Sequence, residues 1–335
     1  MLINDDKTTG LFTSADVTAP VTAQPWPDHG WEIWTDSNEG LADAIQIPHD
    51  WTIERQVSEV RASRALKFVV PVSPVYFWEI AKFRAMRRLR PDIFLIARTS
   101  RYFTTAYDPH VNLLRGTAGA MAAILGGCDA VIVGPFDEAR GDCSEFARRL
   151  ALNTQLLLRE EAGFWRAKDP AAGSWCIEAL TARLAAGLSA PARAPVFVGV
   201  TKYANLGEAP PPAPVTTGRA ASALELCRLR SERAPERPRV QLVLGLDAKM
   251  SRIRAGFVKG FFGAGGFLIG EEPGPIIVLC DADGNYASLA ASVSGPRVLV
   301  AGPEELKIAG VAGYVNAKSD QASTIEYWQR QLGIL

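Results

Sequence analysis

The chain has little of the chemistry that makes an active site visible in a sequence. Its 335 residues include three histidines, His29, His49 and His110, and none after position 110. No two of them share the i,i+4 spacing of a helical metal site, and no CxxC pair stands near them, so no zinc motif can be assembled. His29 and His49 sit beside acidic residues in turn-like sequence and read as solvated turn residues. The five cysteines (128, 143, 176, 227 and 280) are scattered; Cys128 and Cys280 adjoin apolar runs and read as buried, reduced thiols. Charge of one sign is also missing. Thirty-six basic residues balance thirty-six acidic ones, which removes the electrostatic case for nucleic acid or an anionic membrane as partner. No apolar run approaches the ~20 residues of a membrane span, and Met1-Leu-Ile-Asn-Asp-Asp6 lacks the basic start of a signal peptide. The expected location is the cytoplasm.

What is present is an alternation of short apolar runs with segments of helical period. With 48% apolar residues and this length, about two globular domains are expected. Residues 1–30, rich in Thr, Asp, Pro and Ala, read as an extended arm within an N-terminal extension over 1–63. Residues 30–34 and 41–47 of it are each able to form a short strand or helix. From 64 onward the pattern is β-α-β: strands over 66–72, 93–98 and 129–134, helices over 76–89 and 111–125, with Gly126-Gly127 stopping the second helix. A long helix over 146–164, a helix over 175–188 and a strand over 195–200 follow, closing a first domain near 205. Pro210-Pro211-Pro212 opens a linker over 206–237 that carries a helix at 220–232. Strands then recur at 239–244, 267–270, 276–280 and 298–301, with helices at 251–263, 285–292 and 322–332. That alternation over 238–335 predicts a flavodoxin-like doubly wound sheet.

Six blocks carry a resemblance. They are Phe77-Trp-Glu-Ile-Ala-Lys-Phe-Arg-Ala-Met-Arg-Arg-Leu89, Asp108-Pro-His-Val-Asn-Leu-Leu-Arg115, Ala122-Ala-Ile-Leu-Gly-Gly127, Pro135-Phe-Asp-Glu-Ala139, Ala151-Leu-Asn-Thr-Gln-Leu-Leu-Leu158 and Asp169-Pro-Ala-Ala-Gly-Ser-Trp-Cys-Ile-Glu-Ala-Leu-Thr181. In this order and spacing, over about 65–203, the chain resembles the methylmalonyl-CoA mutase family. The resemblance implies an α/β chain: the C-terminal half of a (β/α) TIM-type barrel, followed by a cobalamin-binding-type domain. It implies that Lys82, Arg84 and Arg87 lie near the phosphates of an acyl-CoA; read from the residues alone, the same basic run is a solvated helix face. It implies that Thr99 and Ser100, with Glu138 and Ala139, face the substrate or the corrin ring of adenosylcobalamin at the barrel mouth. For Asp137 and Glu138 the alternative reading is a cap on the following helix.

Three departures shape the functional expectation. Where active relatives have Gln-Thr-Ser-Gly, this chain has Arg98-Thr-Ser-Arg101, so a planar cation replaces an amide. Where cobalamin-dependent mutases read Asp-x-His-x-x-Gly, with the histidine ligating cobalt, this chain reads Asp247-Ala-Lys-Met-Ser-Arg252. Protonated Lys249 has no lone pair for a metal, so no metal ligand is assigned. Finally, a complete barrel needs roughly 250 residues, and the half that holds the family's radical-generating tyrosine is missing. The resulting half-barrel should cover its edge strands with a partner, by self-association, or with the N-terminal arm. The expected function is that of a shortened relative of the non-catalytic small subunit, supporting a catalytic large subunit in isomerising methylmalonyl-CoA and succinyl-CoA. The alternative is an adenosylcobalamin-dependent acyl-CoA mutase whose barrel another chain completes.

Overall fold

A computed structural model describes residues 31–141, 143–164, 166–189, 196–212, 216–295 and 297–335. The arm expected over 1–30 lies outside these residues. The chain divides into two compact units, residues 1–104 with 109–194, and residues 105–108 with 195–335. Each is built on a five-stranded, wholly parallel sheet.

The first unit contains β1 (Glu32–Ile33), β2 (Ile45–Gln46), α1 (Ile53–Ala62), β3 (Lys67–Val72), α2 (Tyr76–Leu89), β4 (Phe94–Thr99), α3 (Val111–Leu125), β5 (Ala130–Ile132), α4 (Glu145–Leu156) and α5 (Trp175–Ala185). Strand order is β1-β5-β4-β3-β2. A parallel sheet hides its backbone only when both faces are covered, and the two faces here are covered differently. Phe68, Val70, Val72, Leu95, Ala97 and Val131 join one large core with residues of α1, α2, α3 and α5. On the opposite face Val69, Ile96, Ala130 and Ile132 are sealed by Trp34, Leu41, Ala44 and Phe94. The segment around 31–47 therefore does two jobs. β1 pairs with β5 and β2 with β3, lengthening the sheet at both edges, and the residues around them fill the second face.

This changes the expected layout. Residues 31–63 are part of the first unit's fold, not an extension from it. Of the fourth strand expected over 195–200, the described residues, from 196 on, form no strand: Phe197–Lys202 is a run of turns held by hydrogen bonds to the Phe197 carbonyl, with Gly199 at positive φ. The expected long helix over 146–164 is α4 followed by a π-helical turn at Leu157–Glu161.

Helix α2 lies on the helical face of the sheet and packs on α1, α3 and α5. Nine of its consecutive residues, from Glu79 to Arg87, are buried, so its basic run can be neither a solvated face nor a phosphate-facing one. Lys82 donates to the Pro71 carbonyl at 2.5 Å and to Gln56 Oε1 at 3.0 Å, and pairs with Glu79 at 2.5 Å. Arg84 is fully buried between Asp169 and Glu178. Arg87 reaches the Ile93 carbonyl at 2.6 Å, the Gly127 carbonyl at 3.2 Å and the Asp129 carboxylate. The three cations thus tie α2 to its surroundings, and Gly126 allows α3 to end against it, because a Cβ there would stand 2.6 Å from Phe83 Cβ.

The second unit contains α6 (Ser222–Arg233), β6 (Arg239–Leu244), α7 (Ala248–Gly263), β7 (Leu268–Gly270), β8 (Ile276–Cys280), α8 (Tyr286–Ser292), β9 (Val298–Ala301), β10 (Gly313–Val315) and α9 (Gln321–Gln331). Its order, β10-β9-β8-β6-β7, runs 2-1-3-4-5 from β7, an order found among doubly wound sheets. β10, at the end of the apolar stretch over 308–315, was not singled out from the sequence. The stretch expected as a linker belongs to this unit. α6 packs on α9 through Gln329, which donates to the Cys227 carbonyl and to Ser231, and the Glu208 carboxylate accepts from the Asp108 amide at 2.8 Å.

Breaking a buried ion pair from one side leaves uncompensated charge and costs about 3–5 kcal/mol. Arg84→Met leaves Asp169 and Glu178 without their buried cation. Urea unfolding should show a loss of about that size, with Glu178→Gln added to Arg84→Met recovering part of it.

Candidate functional site

Because every strand of the first sheet runs the same way, the segments that follow the strands converge at one edge, where parallel α/β sheets place their chemistry. Asp36 comes after β1, His49 after β2, Arg98 and Thr99 end β4, Ser100 and Arg101 follow it, and Glu138 comes after β5. These seven residues form one cluster.

Arg98 is its centre. The side chain is 95% buried, a burial an arginine tolerates only when its donors are used. Nε and one terminal nitrogen donate to the two oxygens of Asp36 at 2.9 and 3.0 Å, a bidentate fork. The same terminal nitrogen reaches Glu138 Oε2 at 2.9 Å, and the other donates to the Thr99 carbonyl at 2.8 Å. Arg101, more than half exposed, lies at the rim, 3.3 Å from Glu138 and 3.7 Å from Asp36. Burial opposes ionisation of Asp36, but the hydrogen bonds from Arg98 and the charges of Arg98 and Arg101 outweigh it and hold the carboxyl below its ordinary range. Burial also works against the Arg98 cation, yet its two carboxylates raise its pKa further.

His49 Nδ1 accepts the Arg101 backbone N–H at 3.0 Å and lies 3.3 Å from Ser100 Oγ. Burial first, then the charges of Arg98 and Arg101, push its pKa down to about 4. It is a neutral ring with its remaining proton on Nε2. It is not the solvated turn histidine expected from sequence.

The expected site residues fare unequally. Thr99 Oγ1 accepts the Gly134 amide at 2.8 Å and fixes the end of β5. Glu138 serves Arg98 and Arg101 and does not cap α4; that helix is capped by Ser144, whose amide and hydroxyl are held in turn by Asp137. Ala139 is 1% exposed and presents no surface to a corrin ring or a substrate. Lys82, Arg84 and Arg87 are interior residues, spent on the contacts described above. Asp36 was not singled out from the sequence, since 62 positions separate it from Arg98 and nothing local marks the pair.

In the second unit the β6–α7 loop is held by Asp281, whose carboxylate accepts from the amides of Leu246 and Asp247 at 3.0 Å each. Gly245 is required there, because a Cβ would overlap the Asp281 carboxylate. Asp247 caps α7 through the Lys249 and Met250 amides, and Lys249 is exposed in the helix's first turn. No cluster of three or more His, Cys, Asp or Glu able to hold a metal occurs among the described residues. The donor set at this loop does not fit a cobalt ion ligated from below by the protein. Arg252 lines a cavity of about 480 Å³ with Leu242, Leu244, Ala255, Lys259 and Glu271, so bulk and positive charge stand beside the loop. Among the described residues no helix is long and apolar enough to cross a membrane.

The depressed pKa of His49 has a signed consequence for stability. Above its ordinary value of 6.5 the ring is neutral both folded and unfolded, and the fold keeps its full stability. Between 6.5 and about 4 the unfolded chain takes up a proton that the folded site refuses, and stability falls by about 3 kcal/mol. His49→Gln should flatten the pH dependence of the unfolding free energy in this window, measured by denaturant titration from pH 7 to 4.5. Asp36 acts in the opposite range, below 3.8, and does not mask the effect.

Comparison with known proteins places a family match largely within the first unit. Residues 39–194 match the methylmalonyl-CoA mutase family, beginning well before the region in which the resemblance was read from sequence. The methylmalonyl-CoA mutase small subunit of Porphyromonas gingivalis is 28% identical over an alignment covering 94% of this chain and 66% of its own length. The probable small subunit of Mycobacterium tuberculosis is 34% identical, covering 73% of this chain and 53% of its own length. A probable mitochondrial methylmalonyl-CoA mutase of Caenorhabditis elegans is 37% identical over 42% of this chain. The chain spans between half and just under two thirds of the length of the two small subunits. Through its residues 39–194, this chain belongs to the methylmalonyl-CoA mutase family.

Proposed function

We propose that this chain is a small-subunit-like member of the family. It would act as a non-catalytic partner of a large subunit that interconverts methylmalonyl-CoA and succinyl-CoA, combining part of a (β/α) barrel with a degenerate, flavodoxin-like cobalamin-binding domain. The observation that carries the reading is the state of the sheet's carboxyl edge. Its cationic donor Arg98 is bound to Asp36, Glu138 and Thr99 of the same chain, so the groups that would hold a substrate hold one another.

Lys249 supports the reading from the other unit. An ammonium offers no lone pair, and the second unit contains no histidine to replace it. The relatives named small subunits favour a large subunit as the partner. The interior placement of Lys82, Arg84 and Arg87 removes the phosphate contacts expected from the family, so acyl-CoA binding is not assigned to them.

The chain, incubated with adenosylcobalamin and passed through gel filtration, should emerge without corrin absorbance. Mixed with a full-length catalytic subunit of the family from the same genome, it should shift into a common peak. Stoichiometric corrin on the isolated chain would overturn the reading of Lys249, and failure to form a common peak would overturn the partner role.

A further inference from the structure

Arg98 holds more recognition chemistry than the end of a strand requires. It is a planar donor fork, almost wholly buried and aimed at the open edge of the sheet, which is the geometry that selects carboxylates. Its two acidic partners differ in how firmly they are placed. Glu138 is 8% exposed, whereas Asp36 is 45% exposed. Asp36 also sits on a surface turn that holds itself together without the ion pair. The Thr35 amide donates to Asn38 Oδ1 at 2.9 Å, the Thr35 hydroxyl lies 2.8 Å from Ser37 Oγ, and the Asn38 amide closes on the Thr35 carbonyl at 3.1 Å. Asp36 can leave Arg98 without unmaking the turn.

We propose that Arg98, with Arg101 at its rim, is a binding site for a small carboxylate ligand, and that Asp36 is a built-in carboxylate occupying it. The charge count agrees. With Asp36 in place, two arginines face two carboxylates and the neutral ring of His49. With Asp36 withdrawn, Arg98 and Arg101 face Glu138 alone, leaving one positive charge for one incoming carboxylate. The Ser100 hydroxyl and the neutral His49 ring, 3.3 Å apart, belong to the same cluster, and the low pKa of His49 keeps it from competing as a third cation. The Asp36 side chain is nearly half exposed and belongs to the same chain, so the closed state is favoured by high effective concentration. The site is a self-occluded one.

The inference uses the same edge as the functional reading, but it rests on the first unit's geometry alone. Its test reads anion binding, not subunit association or corrin retention, so each can fail without the other. The full chain and its Asp36→Asn variant are titrated with sodium malonate and sodium acetate by calorimetry, with sodium sulfate as a non-carboxylate control. Asp36→Asn should bind malonate at least tenfold more tightly than the parent chain, and adding Arg98→Gln should abolish the gain. Asp36→Glu, which keeps the charge but alters the reach, should fall between parent and Asp36→Asn. The proposal is overturned if Asp36→Asn binds no better than the parent, if the gain survives Arg98→Gln, or if sulfate binds as well as malonate, the mark of an adventitious ion only. It is overturned equally if both Asp36 variants fail to fold, since Asp36 would then be a structural pin.

Discussion

The constraint on which the first unit depends is that a parallel sheet must be covered on both faces. Helices α1, α2, α3 and α5 cover one face as the β-α alternation requires. In a closed barrel the other face turns inward and its strands cover one another. Five strands cannot close in that way, and here the task falls to Trp34, Leu41 and Ala44, laid over Val69, Ile96, Ala130 and Ile132. The same segment supplies β1 and β2, so the open sheet acquires short, two-residue edges, which give little backbone for an unwanted strand to pair with.

Covering that face also decides the character of the site. The turn after β1 brings Asp36 to the carboxyl edge, beside an arginine that ends β4. Once the pair forms, the edge is electrically balanced, and His49 is held neutral beside two guanidinium groups. A surface that the family's resemblance marks for substrate and cofactor becomes, in this chain, a network of internal contacts. The buried cations of α2 follow the same logic at the opposite side of the sheet. Charged groups taken out of water must find opposite charge or hydrogen-bond acceptors, and Lys82, Arg84 and Arg87 each find them within the unit.

Much of the architecture was legible along the chain. Helices α2 and α3 and strands β6 and β8 stand where their apolar period places them, because each is long enough for its pattern to be read without knowledge of its neighbours. The elements that were not legible share a physical reason. β1, β2 and β10 are two or three residues long, and such strands exist only because a neighbouring strand offers its backbone. Residues 196–200 show the converse: an apolar run that joins neither sheet among the described residues and folds into turns. The fates of Arg84 and Glu138 were hidden for a related reason, since their partners lie far away in sequence.

By itself the sequence determined the α/β class, the family, the departure at Lys249 and the replacement of an amide by Arg98. All of these reside in local pattern or residue identity, and they hold whatever the chain packs against. Only the tertiary structure decided that 31–63 belongs to the first unit, that the basic face of α2 is interior, and that Arg98 is occupied by Asp36. Those outcomes depend on which distant residues are brought within hydrogen-bonding reach and removed from water, and Coulomb attraction and desolvation have no counterpart in the spacing of residues along a chain.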